Sequence, residues 1–206
     1  MTIEAVVFDI GNVLIRWAPE AFYDRAIGQD RRLRLFQEVD LTGMNEGVDL
    51  GADFRQSVSD LADAHPDWAT EIRMWEEHWL EMASPAIDRS VRLLRALRRT
   101  KIPVYALSNF GRETFRIAEG NYPFLEEFDI RILSGEHKMM KPDPAIYHLL
   151  EEQSGVAPEA LFFTDDRPEN IDTAKERGWQ THLFEGAKGL AERLVEEGLL
   201  TEEAAE

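Results

Sequence analysis

Apolar residues fall in two kinds of run along this chain. Glu4 to Ile10, Ile102 to Leu107, Phe128 to Leu133, Leu161 to Thr164 and Gln180 to Phe184 are short, apolar and bounded by polar, Gly or Pro positions, and they read as buried strands. Between the later ones the spacing turns helical. Val91, Leu94 and Leu97 share a face behind an expected Asp88 cap, Ile146, Leu149 and Leu150 share another that ends near Gly155, and Asp166 to Arg177 form a third closed by Gly178. Strands alternating with helices specify an α/β fold, a Rossmann-like doubly wound parallel sheet covered on both faces. Residues 16–84 break the alternation, with no convincing strand among them. Pro19 suits a helix start, Phe54, Val58 and Leu61 share a face, and Trp68, Ile72, Trp75 and Trp79 recur at helical spacing, which marks packing between helices before it marks a ligand wall. The predicted division is an α/β core from 1–15 and 85–200, a small inserted α-helical cap over 16–84, and an acidic tail, 201–206, expected to fray.

Composition narrows the function classes. The 206 residues can bury a sizeable core, and a net charge of -17 opposes nucleic-acid binding, which needs clustered Lys and Arg. With no cysteine there is no disulfide, thiolate metal site or cysteine nucleophile. The first residues lack a basic start and no apolar run approaches the roughly 18 residues of a membrane span, so a cytoplasmic protein with no membrane partner is expected. The five histidines show no zinc-site spacing.

Chemistry gathers just past the strands. Asp9 follows Val6-Val7-Phe8, Ser108-Asn109 follows Ala106-Leu107, Lys141-Pro142 lies farther on, and Asp165-Asp166 follows Phe162-Phe163-Thr164. At the carboxyl end of a parallel sheet this set offers a carboxylate nucleophile, a hydroxyl with adjacent backbone N–H groups for a developing oxyanion, a cation, and a carboxylate pair whose repulsion a hard divalent ion relieves. Such an inventory suits phosphoryl transfer.

These segments, taken with Leu14-Ile15-Arg16-Trp17 before Pro19, with Ser134-Gly135-Glu136 ahead of Lys141-Pro142-Asp143-Pro144, and with Asp165-Asp166-Arg167-Pro168-Glu169-Asn170, resemble the haloacid dehalogenase superfamily. The resemblance runs nearly end to end. It is nearest to the bacterial, glucose-1-phosphatase-like branch, with a helical cap after strand one and a first motif reading FDxGNV. It implies a Mg2+-dependent phosphatase that hydrolyses a small phosphomonoester, possibly a sugar phosphate, through an aspartyl phosphate on Asp9. Ser108 and Lys141 would complete the catalytic set, and Asn109, Arg16, Trp17 and Glu46 would contact substrate. Asp9, the Gly11 carbonyl, Asp166, Asp165 and Asn170 would surround the metal, with Asp166 the more direct of the pair. Lys138 competes with Lys141, and it stands where the family pattern usually has glycine. A small phosphorylated metabolite is the implied partner of a monomer or homodimer.

Gly11 departs from the pattern. Many relatives carry aspartate there, to protonate the leaving alkoxide and later activate water; general acid–base help is typically worth about 10²- to 10⁴-fold. A good leaving group, a cap acid such as Glu46 or Asp49, or unaided water would have to compensate. The same glycine admits a metal-free 2-haloacid dehalogenase that uses Asp9 as nucleophile, against which the Asp165-Asp166 pair weighs. It also admits a catalytically weak binding or regulatory protein, against which the intact Asp9, Ser108 and Lys141 weigh.

Overall fold

The structure, a computed structural model, describes residues 2–206. The chain enters the sheet with β1 (Ala5–Phe8), turns, and leaves through β2 (Ile15–Trp17) into a run of helices. These are α1 (Pro19–Ile27), α2 (Gln29–Glu38), α3 (Leu41–Asp49), α4 (Phe54–Ala64), α5 (Ala69–Glu77) and the short α6 (Trp79–Met82). The return strand β3 (Ala83–Ala86) pairs antiparallel with β2. Then come α7 (Asp88–Arg99), β4 (Val104–Ser108), α8 (Arg112–Asn121), β5 (Ile130–Leu133) and the single turn α9 (Ser134–His137). The chain continues through α10 (Pro144–Ser154), β6 (Leu161–Asp165), α11 (Pro168–Glu176), β7 (Gln180–Leu183) and α12 (Ala187–Glu196).

Five strands form one parallel sheet in the order β5-β4-β1-β6-β7. The α/β, Rossmann-like expectation therefore holds, with β1 at the centre. Successive strand residues point to opposite faces. Val6, Phe8, Val104, Ala106 and Phe162 join one apolar cluster, and Val7, Tyr105, Leu107, Leu161 and Phe163 join the other, which explains why the strands read as continuous apolar runs. The first cluster continues without a break into the helices between β2 and β3, through Tyr23, Leu35, Ile72 and Trp75.

Several local expectations need correction. The ribbon β2/β3 spans the borders of the segment in which no strand was expected, so the chain crosses to the helices and back on paired strands. Asp88 does not cap α7: Ile87 holds the cap position with no side-chain hydrogen bond, and its amide is taken by the Leu14 carbonyl at 2.7 Å. Asp88 instead places its charge in the first turn, where the helix dipole favours it. The helix expected from Asp166 begins at Pro168, with Arg167 before it, so Asp166 is not its cap. The tail is not frayed: 203–205 forms a short turn of 3-10 helix, and Ala205 is buried in the first cluster. Lys138, at the usual glycine, adopts the left-handed conformation glycine would supply (φ 55°), so the turn after α9 keeps its shape.

The aromatic stripe packs as expected. Trp75 lies edge-on to Trp17 at 5.9 Å and near Tyr23 at 6.1 Å, and Trp79 reaches across to Phe110, beyond β4, at 5.7 Å. Because the helices and the sheet share one apolar cluster, urea should unfold both in a single transition. Ile72→Ala should lower stability by about 2–5 kcal/mol. Two separate transitions, or a negligible change in midpoint, would show that the helices do not share the core of the sheet.

Candidate active site

Sheet register sets the site. Phe8 pairs with Ala106 on one side and Thr164 on the other, so Asp9, the next residue, emerges level with the ends of β4 and β6. Ser108 closes β4 and Asp165 closes β6. Lys141 arrives from the loop between α9 and α10, where the Lys141-Pro142 peptide is cis. Asn109 holds that loop by a reciprocal pair: its Oδ1 accepts from the Lys141 N–H at 2.8 Å, and its Nδ2 donates to the Lys141 carbonyl at 2.9 Å. Asn109 also lines the cavity, with one amide hydrogen and one oxygen lone pair engaged in seating the lysine.

Lys141 is 2% exposed and its Nζ lies 2.8 Å from Asp9 Oδ1 and 2.6 Å from Asp165 Oδ2. Burial works against its charge, yet Asp165 and Asp9 outweigh burial and hold its pKa above the ordinary lysine value. Ser108 Oγ donates to Asp9 Oδ1 at 2.7 Å. That oxygen is thus fully engaged, whereas Asp9 Oδ2 accepts no hydrogen bond among the described residues. Burial pushes the Asp9 carboxyl up to about 6, Lys141 works against that rise, and Asp165 adds to it.

Asp165 is completely buried and saturated. Asn170 Nδ2 donates to both its oxygens at 3.0 Å, the Arg167 N–H reaches Oδ1 at 2.8 Å, and Lys141 takes Oδ2. Asp166 is half-buried and lines the cavity, with Oδ2 accepting from Asn12 Nδ2 at 3.1 Å. Burial raises its pKa, and the Asn12 contact works against that rise. One oxygen from each of Asp9, Asp165 and Asp166 lies within 4.8 Å of the others. Two carboxylates about 4 Å apart repel by about 4 kcal/mol at an effective dielectric near 20, and here three share one lysine. The donor set fits a hard divalent cation. Asp9 and Asp166 have the free capacity to ligate it, whereas Asp165 and Asn170 are committed to each other and to Lys141.

The cavity over these groups measures about 310 Å³. Arg16, Trp17 and Glu46 line it, as expected, and so does Gly11; Trp75 and Trp79 add a wall, so the packing stripe also faces the site. Lys138 is exposed and absent from the lining, which separates it from Lys141. Two further residues meet at the site, Asn12, which carries no role in the expected set, and Asp49, named there with Glu46 as a substitute acid. Asn12 joins its side chain to Asp166 and to the Trp17 N–H at 3.0 Å, from a left-handed turn (φ 54°) that asparagine tolerates; an Asn directly after Gly11 was the available signal. Asp49, at the end of α3, lines the cavity from the helical side.

Lys141→Met would strand two buried carboxylates, and stability should fall by about 3–5 kcal/mol in metal-free buffer. Without the lysine, which opposes the rise, the folded-state pKa of Asp9 moves further above that of the unfolded chain. The variant is then most stable below the carboxylate range and loses stability as pH rises, so its deficit should widen from about pH 4 to about pH 8. A deficit constant across that range, measured by urea unfolding, would contradict the pairing.

The family model for haloacid dehalogenase-like hydrolase matches residues 3–178. A haloacid-dehalogenase-family enzyme of Bacteroides thetaiotaomicron, solved with magnesium and inorganic phosphate, aligns with a TM-score of 0.69 and 27% identity over 87% of this chain and 93% of its own. The L-2-haloacid dehalogenase of Xanthobacter autotrophicus, with chloropropionic acid covalently bound, shares the fold (TM-score 0.60, 20% identity, 95% of this chain and 83% of that one). Haloacetate dehalogenase H-2 of Moraxella sp. (strain B) is 30% identical over 114 residues, 55% of this chain. Drimenol cyclase of Aspergillus calidoustus is 22% identical over 191 residues, 88% of this chain. The chain spans 50% of the first of these curated relatives and 34% of the second. Because the family match takes in every segment that meets at the cavity, from Asp9 to Asn170, the chain belongs to the haloacid dehalogenase-like hydrolases.

Proposed function

We propose that the protein is a Mg2+-dependent phosphomonoester hydrolase that works through an aspartyl phosphate on Asp9. The observation that carries this reading is the asymmetry of Asp9. Ser108 and Lys141 fix Oδ1, Oδ2 is left without a hydrogen bond, and an Asp166 oxygen lies within 4.8 Å of an oxygen of Asp9. Lys141 neutralises Asp9 while phosphate approaches, the Ser108 hydroxyl orients Asp9, and the Asn109 N–H just beyond β4 would donate to a phosphoryl oxygen. Asp9 and Asp166 would hold magnesium, which supplies charge neutralisation for the phosphoryl group when bound. Asp165 and Asn170 support them from behind, and the Gly11 carbonyl is a further ligand on the family pattern. The magnesium and phosphate found with the Bacteroides enzyme support the same reading. Arg16, Trp17 and Glu46 line the part of the cavity where the alcohol portion of a small metabolite, such as a sugar phosphate, would lie.

Dehalogenation of a 2-haloacid is the second reading, favoured by the Moraxella relative and by the glycine at position 11. Incubation with phosphorylated metabolites and with 2-chloropropionate, each with and without Mg2+, separates the two. Phosphate release that requires Mg2+ is expected, and chloride release without metal would overturn the proposal. Asp9→Asn should reduce turnover below detection. Mg2+ should raise the thermal midpoint of the unmodified chain, and Asp166→Asn should remove most of that rise; an undiminished shift in the variant would place the ion elsewhere.

A further inference from the structure

Gly11 supplies no proton, and the space its side chain would fill is open. A β-carbon there would meet only Asp9 Oδ2, at 4.0 Å, so close packing does not demand the glycine. An alkoxide leaving phosphorus still needs a proton, and the water that follows still needs a base. Across the cavity, at the end of α3, stands Asp49.

We propose that Asp49 is the general acid and base of this site, acting from the helical segment where the residue at position 11 cannot. This rests on the phosphatase reading above. Asp49 lines the same cavity as Asp9, and three hydrogen bonds fix its position, one to the loop that follows Ser108, one to α9 and one within α3. Its Oδ1 accepts from the Gly111 N–H of that loop at 3.0 Å. Its backbone carbonyl accepts from Ser134 Oγ at 2.5 Å, and that hydroxyl in turn accepts from the Phe110 N–H at 2.8 Å. Its Oδ2 accepts from Asn45 Nδ2 at 2.9 Å. A neutral carboxyl satisfies both contacts and still carries one O–H to give. Burial pushes the Asp49 carboxyl up to about 8, the Gly111 N–H opposes the rise, Glu46 on the same helix adds to it, Asn45 opposes it, and Asp9 across the cavity adds to it. The negative end of the α3 dipole acts in the same sense as burial. Glu20 and Glu46, the other acids that line the cavity from the helices, are both exposed.

In the first step Asp9 Oδ2 bonds to phosphorus, the ester P–O bond breaks, and the Asp49 proton passes to the departing oxygen. In the second, Asp49 takes a proton from water as that water attacks phosphorus. The bond to Asp9 then breaks, inorganic phosphate leaves, and Asp49 is again protonated.

The test is the dependence of kcat/KM on the leaving group. In the unmodified chain, p-nitrophenyl phosphate and glycerol phosphate should differ little. In Asp49→Asn, whose amide keeps an acceptor for Gly111, kcat/KM for glycerol phosphate should fall about 10²- to 10⁴-fold, and that for p-nitrophenyl phosphate, which needs no proton, by less than about tenfold. The aryl ester should also give a burst of nitrophenolate, because the second step has lost its base. Equal losses on both esters would reduce Asp49 to a fastening for the helices and overturn the proposal, as would no loss on either. Should Asp49→Asn fail to fold, a steep leaving-group dependence in the unmodified chain overturns the proposal without it. An unmodified chain that releases phosphate from neither ester refutes the phosphatase reading itself, and this proposal with it.

Discussion

A buried lysine between two buried carboxylates is the contact on which this site depends. Lys141 brings together β1, β6 and the loop before α10, none of which are neighbours in sequence. Ion pairs this deep are poor sources of stability, since desolvation consumes much of the attraction. They are effective at fixing geometry, because each remaining oxygen must find a partner in a definite direction. The consequence is visible at Asp165, where Asn170, Arg167 and Lys141 occupy both oxygens and leave nothing to spare, and at Asp9, where one oxygen is held and the other is not.

Two adjacent acids in one dipeptide therefore acquire different work from the pleat of a strand. Asp165 ends β6 and points into the interior, while Asp166, one residue later, reaches the cavity. The parallel sheet supplies the alignment and the surrounding hydrogen bonds supply the difference in charge environment. A hard cation would resolve what remains, because three carboxylates and one ammonium are not balanced.

Much of this was legible in the amino-acid order. Asp9, Ser108 and Asp165-Asp166 each follow a short apolar run, and a run of that kind in an alternating α/β pattern places its last residue at one edge of the sheet. Contacts made at a distance were not legible. Asp49 meets Gly111 across 62 residues and Ser134 across 85, and neither partner carries a local signal of the contact. The strands β2 and β3 are too short to show alternation, and Pro85 weakens the second further. Asp88 failed as a cap because tertiary contact decided the chain path: the Ile87 amide goes to Leu14, so the turn begins one residue ahead of the acid. The tail looked unstructured by charge alone, and Ala205, a small apolar residue among glutamates, is what anchors it.

The ribbon that carries the chain out to the helices and back also gives them a fulcrum. Its first strand abuts the turn after β1, where Gly11 bridges to Ile15 and Asn12 holds both the Trp17 amide and Asp166. Through Asn12, the strand that carries the chain to the helices and a carboxylate at the floor of the cavity share one side chain, so the roof and the floor of this site are tied by two hydrogen bonds.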